Sequence, residues 1–237
     1  MIGSATKLST YIHSQEWSIV LKHIDNHNRD ARIWFSRPGF FDGATSTKVL
    51  PIHEAVALNC PLEVLLTLHE AYPDGTRMRE VGFQRNILHI ACRNDVSLEL
   101  MRLIIKLFPD SANEEDKLGR VPLHYSCNNG SKEENVDLLL EACKNSVRCF
   151  DRRGWYPLHI ACSLGASPSV VQKLVDGFPL AATVSPNKTM STFDICDMAI
   201  NSANTSKNKA IILKAVLAYE KSKPRPPRKP TSERNVV

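Results

Sequence analysis

The residues in this chain whose types and spacing could do chemistry are histidine and cysteine in the pattern His-x-x-Cys. The pattern occurs as His89/Cys92, His124/Cys127 and His159/Cys162, with the histidines 35 residues apart. Imidazole and thiolate are zinc ligands, and a thiol beside a base is a nucleophile. Three positions apart on a helix, the two side chains share a face. Each pair supplies only two ligands, however, and a closed zinc shell needs four at about 2.0–2.3 Å. Helices stacked about 8–10 Å apart keep equivalent pairs from meeting on one ion. A nucleophile also needs a base within hydrogen-bond reach and a third group to orient it, whereas here every candidate recurs in one scaffold position. No G-x-x-x-x-G-K-[ST], H-E-x-x-H or G-x-S-x-G motif is present. The expectation is no metal, no cofactor and no enzymatic activity, so that what recurs is a structural unit.

The unit is longer than the motif. "LPIHEAV", "NILHIAC", "VPLHYSC" and "YPLHIAC" carry His53, His89, His124 and His159 at intervals of 36, 35 and 35, and one more period lands on Asp194 in "STFDICD", a degenerate copy. After each histidine comes a mostly apolar set spaced i, i+3, i+4, i+7, such as Met101, Ile104, Ile105 and Phe108, or Val171, Leu174, Val175 and Phe178. That is one face of a helix. The same spacing appears as Trp17, Val20, Leu21, Ile24 and as Ile212, Ala215, Val216, Tyr219, giving about six units with irregular outer ones. Pro51, Pro122 and Pro157 suit the first turn of a first helix. Ser167-Pro168 and Ser131 with Glu134 mark the start of a second helix, which ends before Pro73, Pro109 and Pro179. Asp116-Lys-Leu-Gly119 and Asp151-Arg-Arg-Gly154 read as turns between units.

The D-x-x-G turn, the x-P-L-H-x-A-C helix and the longer second helix resemble the ankyrin-repeat family over residues 8 to 220. The resemblance implies an all-α solenoid of about six helix-turn-helix units with irregular end caps, near 8–48, 49–84, 85–119, 120–154, 155–190 and 191–220. The chain departs from the family in its 35-residue period, the extra length lying where the second helix runs on to "FPD". It departs also at the first-helix cap, where the usual threonine is replaced by Leu50, Asn86, Val121 and Tyr156. A tetratricopeptide array of similar period is the poorer match, lacking this glycine turn. In the resemblance the histidine is structural, bonding backbone groups of neighbouring units, and the cysteine fills a small-residue position. Function is then expected to be protein–protein interaction.

Family arrays bind through turn tips and the exposed side of the first helices, along a concave groove. Carried over by position, those sites lie seven, six and four residues before each histidine and four and five after it. None of the twenty-five positions is acidic and seven are basic: Arg85, Arg93, Lys117, Arg120, Arg152, Arg153 and Lys188. With Phe83 and Trp155 as aromatic anchors, they read as a basic groove for an acidic partner segment. The bland alternative is that surface positions happened to collect arginine and that Trp155 packs on its neighbouring turn. Anion or nucleic-acid binding through groove and tail ranks second, because few aromatics interleave the basic positions.

The chain has 30 Lys and Arg against 25 Asp and Glu, and its seven cysteines form no C-x-x-C pair. The excess of positive charge resides in residues 221–237, "KSKPRPPRKPTSERNVV", which read as a disordered basic extension. There Lys221-x-x-Pro224-x-x-Pro227 and Pro224-x-x-Pro227-x-Lys229 have spacings an SH3-type groove could read; a plain solvated tail is the alternative. No stretch is apolar enough for a membrane span or signal-peptide core, so an intracellular protein with free thiols, cytoplasmic or nuclear, is expected. Residues 32–48, with Trp34, Phe35, Phe40 and Phe41, are expected to form a hairpin over the first cap, the alternative being an exposed aromatic contact.

Overall fold

Alternating short and long helical segments, the first five pairs each joined through one left-handed residue, set the architecture. The computed structural model describes residues 6–40, 47–130, 132–186, 190–198 and 203–222. Among them, six helix pairs follow one another: α1 (Lys7–His13) with α2 (Trp17–Asn26), α3 (Pro51–Ala57) with α4 (Leu62–Ala71), and α5 (Ile87–Arg93) with α6 (Leu98–Leu107). Then come α7 (Pro122–Asn128) with α8 (Glu133–Ala142), α9 (Pro157–Ser163) with α10 (Pro168–Gly177), and α11 (Thr192–Ile195) with α12 (Thr205–Ser222). The positive-φ link within a pair is Gln15, Asn59, Asp95, Gly130 or Gly165. First helices contact first helices from α1 to α11, and second helices contact second helices from α2 to α12. One continuous core from Leu8 to Ala215 lies between the two layers. The fold is the expected all-α repeat solenoid.

The extra length over the family's usual unit takes a different form from the one expected. The second helices stop at Tyr72, Phe108, Cys143 and Phe178, whose backbones are extended with φ of −150°, −142°, −148° and −154°. A separate 3₁₀ turn follows each: Pro73–Thr76, Pro109–Asn113, Lys144–Arg148 and Pro179–Ala182. Lys144 stands where the other three have proline, so the turn does not depend on it. Instead each turn buries small residues, among them Gly75 and Thr76, Ser111 and Ala112, and Ala181 and Ala182.

The first-helix cap is supplied by the histidine. Its Nδ1 accepts the N–H of the residue three before it: Leu50 at 3.0 Å, Asn86 at 3.3 Å, Val121 at 3.2 Å and Tyr156 at 3.2 Å. The capping residue's own N–H is thus satisfied even where that residue is Leu, Val or Tyr, with no side-chain acceptor for the first turn; Asn86 supplies one as well, to the Leu88 and His89 N–H groups at 3.0 Å. The opposite nitrogen, Nε2–H, donates to a carbonyl further along the chain: Met78 at 3.0 Å, Arg120 at 2.8 Å, Trp155 at 3.1 Å and Ala181 at 3.0 Å. A ring that accepts at one nitrogen and donates at the other is neutral. All four rings are fully buried. Burial, which disfavours the charged form, pushes His53, His89 and His124 down to about 4 and lowers His159 as well. In the last unit Asp194 takes the histidine's place. Its carboxylate accepts the Ser191 N–H at 3.0 Å while Ser191 Oγ accepts the Asp194 N–H at 3.2 Å, so the cap survives with no reach to a further unit.

Residues 32–48 do form a hairpin at its base. β1 (Phe35–Arg37) pairs antiparallel with β2 (Thr47–Val49), Phe35 opposite Val49. Phe35 is buried and Trp34 and Phe40 lie against the core, whereas Phe41 is outside the described residues. Arg37 clips the hairpin to α3 through Nε at 2.8 Å from Oε1 of the buried Glu54.

The neutral histidines make the fold sensitive to acid. His53, His89 and His124 are each near 4 folded and near 6.5 unfolded, and His159 is lowered too, so below pH 6.5 the unfolded chain takes up protons that the folded chain refuses. Stability is fully present above about pH 6.5 and falls as pH drops toward 4, with roughly three protons taken up on unfolding at pH 5. Urea unfolding curves at stepped pH measure this. Replacing His124 with Ala, which orphans the Val121 N–H and the Trp155 carbonyl, is expected to cost about 2–4 kcal/mol at pH 7 and to flatten that pH dependence.

Candidate partner-binding surface

The turns between units present the residues expected to meet a partner, and they are built on a carboxylate. Asp116 Oδ1 accepts the N–H groups of Leu118 at 2.7 Å and Arg120 at 2.9 Å, closing the turn. Asp151 Oδ1 does the same for Arg153 at 2.9 Å and Trp155 at 3.0 Å. Gly119 and Gly154 take φ of +73° and +79°, and a Cβ on Gly154 would stand 2.8 Å from the Pro186 carbonyl oxygen. The turn one unit earlier is a residue longer, which accounts for the single interval of 36. Glu80 replaces the aspartate there, accepting the Phe83 and Gly82 N–H groups at 2.6 Å, and Gln84 occupies the left-handed position with φ +59°. Successive turns are joined edge to edge: Val81 N–H donates to the Lys48 carbonyl at 3.1 Å, Lys117 to Phe83 at 2.7 Å, and Arg152 to Leu118 at 2.9 Å.

The second carboxylate oxygen of each turn is held by the preceding unit. Thr47 Oγ donates to Glu80 Oε2 at 2.6 Å. Arg85 Nε lies 3.5 Å from Asp116 Oδ2 and donates to the Tyr125 hydroxyl at 2.8 Å, which donates in turn to Asp116 Oδ2 at 2.6 Å. Arg120 Nε donates to Asp151 Oδ2 at 3.1 Å. The guanidinium of Arg85 sits between the rings of Phe83 and Tyr125, at 4.4 Å and 5.0 Å from their centres.

This arrangement corrects the reading of a continuous basic groove. Arg85 is 5 % exposed and belongs to the interior. Arg120 is half-buried, with its charge committed to Asp151. Phe83 is half-buried beneath Arg85, and Arg93 is half-buried with its carbonyl accepting from Asn129 Nδ2 at 2.6 Å. Lys117, Arg152 and Arg153 are exposed, and among the described residues their side chains enter no ion pair. Trp155 is half-buried, its ring edge-on to His159 at 6.1 Å, so it does pack on its own unit while keeping one side open. That open side, with Arg153, Asn128, Ser163 and Leu164, lines a cleft of about 150 Å³. A second cleft of about 440 Å³ flanks the same turn between Arg152, Arg148 and Phe150. Lys188 lies outside the described residues, as do Pro224, Pro227 and Lys229 of the tail. Lys221 belongs to α12, so the spacing that begins there starts on helical backbone.

The other chemistry-bearing residues are occupied structurally. Both nitrogens of each repeated histidine are bonded to backbone, and burial pushes the Cys60 and Cys127 thiols up to about 12, where they are poor nucleophiles. Among the described residues no group of three His, Cys, Asp or Glu could share a metal ion, and no helix is long and apolar enough to cross a membrane. A family model described as ankyrin repeats, in three copies, matches residues 52–142 and 88–187, more than half of the chain. No curated protein matches at a significant level.

The division of the arginines has a direct consequence for stability. Arg85→Ala leaves Asp116 buried without its cation and is expected to cost about 3–5 kcal/mol. Arg120→Ala removes one half-buried charged hydrogen bond, for about 1–3 kcal/mol. Arg152→Ala and Arg153→Ala should stay within about 0.5 kcal/mol of the wild type. Denaturant midpoints of the four variants measure the ranking.

Proposed function

The chain belongs to the ankyrin-repeat family, whose arrays mediate protein–protein interaction, and from that premise we propose that it binds a partner protein through the turns around residues 117 and 152–153. The observation that carries this reading is the set Lys117, Arg152 and Arg153. Lys117 and Arg152 stand on adjacent turns joined by backbone hydrogen bonds, exposed and without internal ion pairs among the described residues. Beside them the half-buried Trp155 and the exposed Leu164 offer apolar contact in the cleft. A rigid cationic edge next to an apolar cleft suits a segment in which acidic residues flank a hydrophobic one. The cations speed encounter and the cleft supplies an anchor. Because Arg85 and Arg120 are committed internally, three exposed charges support a local contact better than the long basic track a polynucleotide would use.

The test is fluorescence anisotropy with a labelled acidic peptide carrying one central Trp, measured against labelled oligo-dT. Saturable peptide binding is expected, weakened at least about tenfold in Arg152→Glu/Arg153→Glu and unchanged in Lys106→Glu on the exposed face of α6. Unchanged peptide affinity in the double reversal overturns the proposal. Tighter binding of oligo-dT with a steep loss of affinity in salt would install nucleic-acid binding in its place.

A further inference from the structure

Stacking is how each unit of this array covers its apolar surface, and α12, the last helix among the described residues, leaves that surface apolar and exposed. The residue before each histidine makes the point. Ile52, Leu88, Leu123 and Leu158 are at most 3 % exposed, while Phe193, the same position in the last unit, is 38 % exposed. Beside that face, the flanking positions of the second helices are mostly polar: Gln172 and Asp176 of α10 line the crevice that receives α12, and the corresponding residues are Leu66 and Glu70 in α4, Arg102 and Lys106 in α6 and Asp137 and Glu141 in α8. In α12 the same two positions are Leu213 and Leu217, 49 % and 46 % exposed. Leu213 and Phe193, with Val216, line a hollow of about 510 Å³. The end unit of a solenoid that finishes in solvent carries a polar outer face; Phe193, Leu213 and Leu217 make this one apolar.

We propose that this end face is the docking site for a second copy of the chain, the two arrays meeting end to end about a two-fold axis with α12 against α12. Phe193 and the hollow beside it continue the surface on which every earlier unit receives the next, and Leu213 and Leu217 flank it. Its charge pattern also fits its own copy. Along the outer stripe of α12 the apolar stretch Leu213, Val216, Leu217 runs between Lys209 and Glu220. An antiparallel pair brings Lys209 of one copy to Glu220 of the other at both ends, whereas a parallel pair would set like charges together. Lys209 is held at the rim by its ion pair with Asp197, with its ammonium 4.6 Å above the Phe193 ring. An exposed apolar face bounded by such charges is the kind that protein contacts cover.

Sedimentation equilibrium of the full chain up to about 0.5 mM tests this. The wild type is expected to reach dimer mass. Leu213→Asp/Leu217→Asp should stay monomeric with unchanged helicity and unfolding midpoint. Glu220→Lys should weaken association at least about tenfold, and Lys209→Glu/Glu220→Lys should restore it. A wild type that stays monomeric throughout, or a dimer indifferent both to the leucine pair and to the charge at residue 220, overturns the proposal, whatever the outcome at Arg152 and Arg153.

Discussion

A repeat unit of this kind leaves polar backbone at its edge that it cannot satisfy alone, and one neutral imidazole ring closes the gap. Nδ1 takes up the free N–H at the start of its own helix, and Nε2–H reaches a carbonyl at the boundary with the following unit. The ring must be neutral for both bonds to exist, and burial among apolar side chains keeps it neutral. Everything else in the stack inherits that spacing. The four first helices that carry the histidine are each seven residues long. The thiol three residues after each of His89, His124 and His159 is left as a small buried group. In the unit of α11 and α12, Asp194 keeps the cap, and a carboxylate there has no N–H to donate outward.

The turn carboxylates explain how a chain with many arginines near its turns displays so few of them. An aspartate already holding two backbone N–H groups has a second oxygen facing inward, and a buried carboxylate oxygen needs a donor. Thr47 and Arg120, each from the turn before, supply it to Glu80 and Asp151, and Tyr125, itself held by Arg85 of the turn before, supplies it to Asp116. These residues therefore belong to the cohesion of the array, and the cations left exposed are Lys117, Arg152 and Arg153 at the turn tips, whose side chains enter no ion pair among the described residues.

Much of this was legible in the sequence, because spacing is what sequence records best. The histidine period, the helical apolar sets and the D-x-x-G turns gave six units and two layers, and the aromatic-rich connection after α2 was recognised as a hairpin. The caps at Leu50, Val121 and Tyr156 were not legible from their own side chains, since the acceptor lies three residues later. Nor was the commitment of Arg85 and Arg120, which depends on contacts between residues 31 apart; the common interval from Arg85 to Asp116 and from Arg120 to Asp151 was the available signal. The 3₁₀ turns escaped because proline after an aromatic marks where a helix stops and leaves open what the chain does next. The clip from Arg37 to Glu54 was foreshadowed only by a glutamate standing where other units have Ile90, Tyr125 and Ile160.

The central claim is that the arginines of this face divide into an internal set, Arg85 and Arg120, and a displayed set, Arg152 and Arg153. The most direct measurement is hydrogen exchange of the arginine Nε–H groups by ¹H–¹⁵N NMR at neutral pH. The account predicts slowly exchanging, dispersed signals for Arg85 and Arg120, whose Nε–H groups are bonded to Tyr125 and Asp151, beside rapid exchange at Arg152 and Arg153. Equally rapid exchange at all four would contradict it.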